Sequence, residues 1–191
     1  MKWVQGLTLG ASAALLILTT AACQVAVAAA HPKAADTPAN AKPKRLETIV
    51  EIHMYDNYFA DVNGQQNPTF KVSAGKTVGI HIHNEGKAEH ELVVGRKVHM
   101  EEQEISGKKV AVPDGYETNL FEMVEADVFF YNQGVKAEVG GAKFGELEFE
   151  SGVKDAWIRV KIPETAKGTW EIGCFAPGHY EAGMKTTLIV E

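Results

Sequence analysis

Cysteine is what this sequence has least of: two in 191 residues, Cys23 and Cys174. Basic residues are not concentrated either. Formal net charge is −6, and Lys42–Arg45 is the one short basic cluster. Phosphate backbones need a concentrated basic surface, so nucleic acid is excluded as the expected partner. No Gly-rich phosphate loop, catalytic Ser/His/Asp set or metalloprotease motif is visible, and there is no internal repeat. With 45% hydrophobic and 23% charged residues, the composition fits one globular domain with a real core.

Long apolar runs are equally scarce. The exception is N-terminal: after Lys2, Gly6 to Ala22 carry no charge and include Ala13-Ala14-Leu15-Leu16-Ile17-Leu18. That matches a signal-peptide core and is short for a bilayer-spanning helix, which leaves a retained anchor as the lesser alternative. Residues 1–22 are therefore read as a signal peptide. Leu18-Thr19-Thr20-Ala21-Ala22-Cys23 resembles a bacterial lipobox with Cys23 as the lipidated residue, although Thr20 stands where that pattern prefers Leu. The competing site is an Ala-x-Ala cut within Ala26–Ala30, which would give a soluble product. Residues 23–46, rich in Ala, Pro and Lys, read as a flexible tether. The expected location is periplasmic or the outer face of the cell membrane, with membrane contact only through an N-terminal lipid anchor.

Export raises a question about Cys174. Disulfides are usual in oxidising compartments, yet Cys23 is either lipidated or removed, so Cys174 has no intramolecular partner. Metal ligation would account for it.

From residue 47 onward the chain reads as short strands. Val50, Ile52 and Met54 alternate with Glu51 and His53, and Ser73-Ala74-Gly75-Lys76 marks a turn after Thr69–Val72. Thr77–His83, His90–Val94, Ala156–Ile162, Gly168–Cys174 and Met184–Val190 follow the same period of two. Such alternation predicts an all-β sandwich over residues 47–191. Residues 96–154, rich in Gly and charge, interrupt the rhythm and read as a long insertion. Within it, Glu117–Phe130 fits a short helix followed by a strand.

The chemistry concentrates near the C-terminus, in Cys174-Phe-Ala-Pro-Gly-His179-Tyr-Glu-Ala-Gly-Met184. A thiolate, an imidazole and a thioether separated by turn formers suit copper, because soft sulfur stabilises Cu(I) and imidazole serves both oxidation states. Zinc also takes Cys and His, but a thioether is a poor zinc ligand. Strand phase nominates the second imidazole. His90 is in step with Leu92 and Val94, Cys174 with Ile172 and Trp170, and Met184 with Thr186, Leu188 and Val190, so all three point to the core. By the same phase His81 and His83 oppose Val78, Ile80 and Ile82 and are expected to face solvent. His99-Met100-Glu101 and His53-Met54 are expected to be surface residues on a loop and a strand.

This C-terminal run resembles the ligand loop of the cupredoxins, the plastocyanin/azurin-like type 1 blue copper proteins. Its Cys-x4-His-x4-Met spacing, with Pro177-Gly178-His179, is closest to auracyanin- and sulfocyanin-like members. Lys71–Leu92, with Asn84-Glu-Gly and Glu89-His90-Glu-Leu, resembles the family's first-histidine region. The resemblance covers about Ile49–Gly95 and Ala156–Glu191, and the segment between departs from the small members. It implies a Greek-key β-sandwich holding one type 1 copper ion through His90, Cys174, His179 and Met184. It also implies that Asn84 braces the site from behind, where the residues alone would allow a plain turn asparagine.

The resemblance further implies that His179 presents its ring edge to redox protein partners within an apolar collar of Phe175, Ala176, Pro177 and Ala182. No small-molecule substrate is needed, so the expected role is carriage of single electrons rather than enzymic turnover. Multicopper oxidases flank this Cys with histidines, whereas Gly173 and Phe175 flank Cys174. Dinuclear copper domains need a second loop cysteine, which is missing. A periplasmic carrier or storage protein that delivers copper to another protein is the alternative. A module that has lost its metal would not need the full ligand set.

Overall fold

The computed structural model describes residues 43–132 and 135–191. The expected signal peptide, Cys23 and all but the end of the tether lie outside the described residues. Among the described residues no helix is long and apolar enough to cross a membrane.

Among the described residues, twelve strands make two sheets. Their order along the chain is β1 (Thr48–Tyr55), β2 (Tyr58–Ala60), β3 (Phe70–Val72), β4 (Thr77–Asn84), β5 (His90–Ile105), β6 (Lys108–Asn119), then α1 (Leu120–Met123). After the helix come β7 (Ala126–Asn132), β8 (Val135–Ala142), β9 (Glu146–Phe149), β10 (Asp155–Lys161), β11 (Gly168–Gly173) and β12 (Lys185–Val190). The first sheet runs β2-β1-β4-β10-β7-β8 and the second β3-β12-β11-β5-β6, with β9 pairing β5. Parallel pairs β1/β4 and β3/β12 sit among antiparallel ones. The chain therefore crosses between sheets instead of running as successive hairpins.

The core lies where the alternating apolar residues of both sheets meet. Ile52, Met54, Ile80, Ile82, Ile158 and Val160 from the first sheet cluster with Leu92, Val94, Trp170, Ile172, Leu188 and Val190 from the second. Each such side chain, fully removed from water, contributes roughly 1.5–3 kcal/mol of transfer free energy. Trp170 keeps its polar edge satisfied by donating from Nε1 to Ala166 O at 2.7 Å. The Arg96 guanidinium lies 3.8 Å above the Trp170 ring and seals it by a cation–π contact.

The segment 96–154 is mostly strand. It contains the expected helix and strand as α1 and β7, with Asn119 capping α1 by accepting from Phe121 N. Its β7 and β8 extend the first sheet beyond β10, and β9 pairs with β5. Beyond Arg96, β5 leaves the sandwich and pairs only with β6. Residues from Met100 to Ala111 are all exposed, so the distal part of this long hairpin buries none of its side chains.

Candidate metal centre

The site grows from two neighbouring strand ends. β5 begins at His90 and runs antiparallel to β11, with Val93 opposite Gly173. Continued by one residue, this register sets Cys174 beside Leu92, which shares a face of β5 with His90. Glu91 N donates to Cys174 Sγ at 3.3 Å, and Phe175 N donates to the Glu91 carboxylate at 3.1 Å.

The loop from Cys174 to Met184 is closed by its own backbone. Cys174 N donates to Met184 O at 3.1 Å, Met184 N to His179 O at 2.9 Å, and His179 N to Ala176 O at 2.9 Å. The three loop residues nominated from the sequence are therefore fixed relative to one another without any metal.

His90, Cys174 and His179 come together, with one potential ligand atom from each lying within 4.8 Å of the others. Cys174 Sγ is 3.3 Å from His179 Nδ1, and the His90 and His179 ring centroids are 5.0 Å apart. Thiolate and imidazole bonds of about 2.0–2.3 Å to one ion would span that 3.3 Å at an angle of roughly 100°. Cys174, His90 and Met184 are completely buried, while His179 is partly exposed.

His90 supplies the test of fit. Its ring is inaccessible, and neither ring nitrogen makes a hydrogen bond among the described residues. Asp56 Oδ1 approaches His90 Nε2 only to 3.4 Å, longer than the usual range of about 2.7–3.2 Å for an N–H···O hydrogen bond. An unsatisfied buried polar atom costs about 1–3 kcal/mol, and a metal ion would remove that penalty. Burial, then the neighbouring His179, lowers the His90 pKa, favouring the neutral imidazole that ligates metals. Burial pushes the Cys174 thiol up to about 11, against hydrogen bonds from the Glu91 and Ala176 amides. A metal must therefore displace the Cys174 proton on binding.

Asn84 is buried, and its side-chain hydrogen bonds lie on one side of the site. Its Oδ1 accepts from Gly86 N at 3.1 Å and its Nδ2 donates to Val153 O at 3.1 Å. It thus ties the turn that leads to His90 onto residues 153–154. Sequence reasoning missed two other supports. Asp56 accepts from Lys87 N at 2.7 Å and Ala88 N at 3.2 Å, and Lys154 Nζ donates to Gly86 O at 2.9 Å. Gly86 is required here, since a Cβ would stand 2.2 Å from His90 Nε2. The Glu91 carboxyl, which burial and then Glu146 push up to about 7, was also missed. None of these carries a local signal, because their partners are distant in sequence.

Two expectations need correction. His81 and His83 do not face open solvent: they are 5% and 7% exposed. Strand phase placed them correctly on the outer face of β4, but Trp157 stacks on His81 at 4.0 Å and His53 on His83 at 4.5 Å. At Gly79 on the same face a Cβ would meet Leu46 Cδ1 at 2.4 Å and Trp157 Cζ3 at 3.2 Å, so side chains cover that face closely. The second correction concerns His53-Met54 and His99-Met100. Met54 is fully buried in the core, and the exposed His99-Met100 pair lies on β5 rather than a loop.

The architecture is that of a cupredoxin-like domain: two mixed β-sheets, with a Cys/His/Met loop following β11. No family model matches the chain. The copper-resistant cuproprotein CopI of Rubrivivax gelatinosus is 29% identical over 169 residues, covering 85% of this chain and 79% of that protein. Among solved structures, a multicopper oxidase from Campylobacter jejuni superposes with TM-score 0.51 at 12% identity, covering 78% of this chain. The chain spans 31% of that oxidase. Auracyanin B matches with TM-score 0.42 and 18% identity over 80% of this chain and 95% of its own.

Proposed function

We propose that this chain is an exported copper protein holding one copper ion through His90, Cys174, His179 and Met184, and that it carries single electrons between redox protein partners. The observation that carries this reading is the convergence of His90, Cys174 and His179 around a buried imidazole with no hydrogen bond of its own. Two imidazoles and a thiolate with a weak thioether are the donor set of blue-copper electron transfer. When bound there, copper supplies a one-electron couple.

The remaining work belongs to the chain. The backbone bonds among Cys174, His179 and Met184 hold the ligands in place, so little rearrangement accompanies a change of charge. Core packing around Met184 and Cys174 excludes water, and the amide of Glu91 donates to the sulfur, two influences that set a metal's potential. His179 is the partly exposed ligand, with exposed Pro177 and Ala182 in the same loop, and this is the face on which a partner would dock. Gly173 and Phe175 beside Cys174 give no path to further copper ions, which favours a carrier over an oxidase.

One observation favours a second reading within copper chemistry. The relative from Rubrivivax gelatinosus is named for copper resistance, which fits a protein that handles or delivers copper. The two readings separate on exchange.

The copper-loaded protein is expected to show an intense visible thiolate-to-copper band that bleaches reversibly with reductant. Cys174→Ser should abolish the band and His99→Ala, on the exposed hairpin, should leave it. Its absence from the loaded wild-type protein would end the type 1 assignment. Ready transfer of the copper to a weak chelator would favour delivery over electron carriage.

A further inference from the structure

A second group of metal-binding side chains lies on the outer face of the first sheet. Strand register makes two rows across β1, β4 and β10. Glu51, His81 and Trp157 are neighbours in one row, and His53, His83 and Asp155 in the next. All six face away from the core, because Ile52, Ile82 and Ala156 between them are core residues. Sheet pairing alone brings together three of the chain's seven histidines and two carboxylates.

The side-chain geometry is tighter than register requires. Ligand atoms of Glu51, His81 and His83 lie within 4.8 Å of one another. Asp155 Oδ2 is 2.9 Å from His81 Nε2 and 3.5 Å from His83 Nδ1. The His81 and His83 ring centroids are 3.9 Å apart, and His53 Nδ1 lies 3.4 Å from Glu85 Oε1. Three imidazoles packed this closely repel one another if protonated, and carboxylates at two edges offset positive charge. Both features suit a bound cation. Glu51, His53 and Glu85 are partly exposed, which leaves an approach from solvent.

We propose that Glu51, His81 and His83, with Asp155 oriented against both imidazoles, form a second metal site for a divalent first-row transition ion, Zn2+ or Cu2+. The donor set is nitrogen and oxygen only, so it disfavours Cu(I), which prefers sulfur. Asp155 serves as a further ligand or as the hydrogen-bond acceptor that fixes the ring orientation of His81, a pairing common beside ligating histidines. The site is separate from the Cys174 loop in its residues, its donor chemistry and its sheet, and it does not depend on the electron-transfer reading.

The test uses the full chain carrying Cys174→Ala and His179→Ala, which disables the first centre. Calorimetric titration with Zn2+ should show one ion bound, and adding His81→Gln and His83→Gln should weaken that binding at least 100-fold. Cu2+ should quench the fluorescence of Trp157, whose ring stacks on His81, and the quenching should disappear in Trp157→Phe. If the histidine pair disturbs folding, as read by circular dichroism, Glu51→Gln should still weaken Zn2+ binding about tenfold. No bound ion in the double-variant background, or binding unchanged by the His81, His83 and Glu51 substitutions, would overturn the proposal. Because the visible band of the intact protein reads only the thiolate centre, failure of either site is seen independently of the other.

Discussion

Asp127 and Arg159 show how single residues decide the strength of this framework. Arg159 on β10 donates from Nε at 2.8 Å and from Nη2 at 2.5 Å to Asp127 Oδ2 on β7, joining the inserted strands to the rest of the sheet. Partial burial pushes the Asp127 pKa up, but hydrogen bonds from Arg159 and from Gly141 N outweigh it and hold the carboxyl below its ordinary value. A carboxylate with a depressed folded pKa stabilises the protein above its unfolded pKa, and the contribution is lost as pH falls through the folded value. Asp127→Asn is therefore expected to cost roughly 1.5–3 kcal/mol at neutral pH, the range for hydrogen bonds to a charged group. Denaturant melts of both proteins should converge as pH falls through the depressed folded pKa of Asp127, where the wild-type carboxyl is itself protonated. A difference that persisted unchanged into acid would mean that the ion pair is not what Asp127 contributes.

At the scale of elements, the contrast lies within one strand. The first six residues of β5 are mostly buried and hold His90 between β11 and β9, whereas beyond Arg96 the strand pairs only with β6. A strand segment with one partner and no buried side chain adds little to the stability of the domain. Tyr116 is the exception on this hairpin. Its hydroxyl donates to Glu171 at 3.0 Å and its ring meets Phe175 edge-on at 5.0 Å, next to Cys174. Replacing Met100–Pro113 by an Asn-Gly turn, which keeps Tyr116, should leave the visible copper band unchanged. The melting temperature should stay within about 4 °C, equivalent to about 1 kcal/mol for a domain of this size. A large loss of either would show that the distal hairpin is part of the folding unit.

For the molecule as a whole, the proposed metal centre would be energetically linked to the fold. Closing the sandwich buries His90 without hydrogen bonds and pushes the Cys174 pKa upward, so the metal-free fold carries a cost that ligation relieves. A ligand that binds only the folded state at 100 times its Kd adds about 2.7 kcal/mol. For this size that corresponds to a rise of roughly 5–10 °C in melting temperature. Calorimetry of the wild-type protein should show that rise on copper loading, and Cys174→Ser should lose most of it. Equal shifts in both proteins would place the stabilising copper elsewhere, with the β1–β4–β10 cluster the first place to look.

The sequence by itself determined the period-two strands, the turn-rich Cys174–Met184 loop and the inward phase of His90, because these follow from local alternation and spacing. Leu92 and Val94 are enough to say which way His90 points, and Ile172 and Trp170 do the same for Cys174. Local alternation names a face but cannot say what covers it. His81 and His83 were placed on the correct side of β4, yet their burial depends on Trp157 and His53, which reach them only through the register of β10 and β1. The supports of the centre were hidden for the same reason: Asp56 holds the amides of Lys87 and Ala88, and Glu91 holds that of Phe175, across gaps that no local pattern spans. Tertiary structure alone decided these contacts, since pairing register, not composition, sets which distant side chains share a volume.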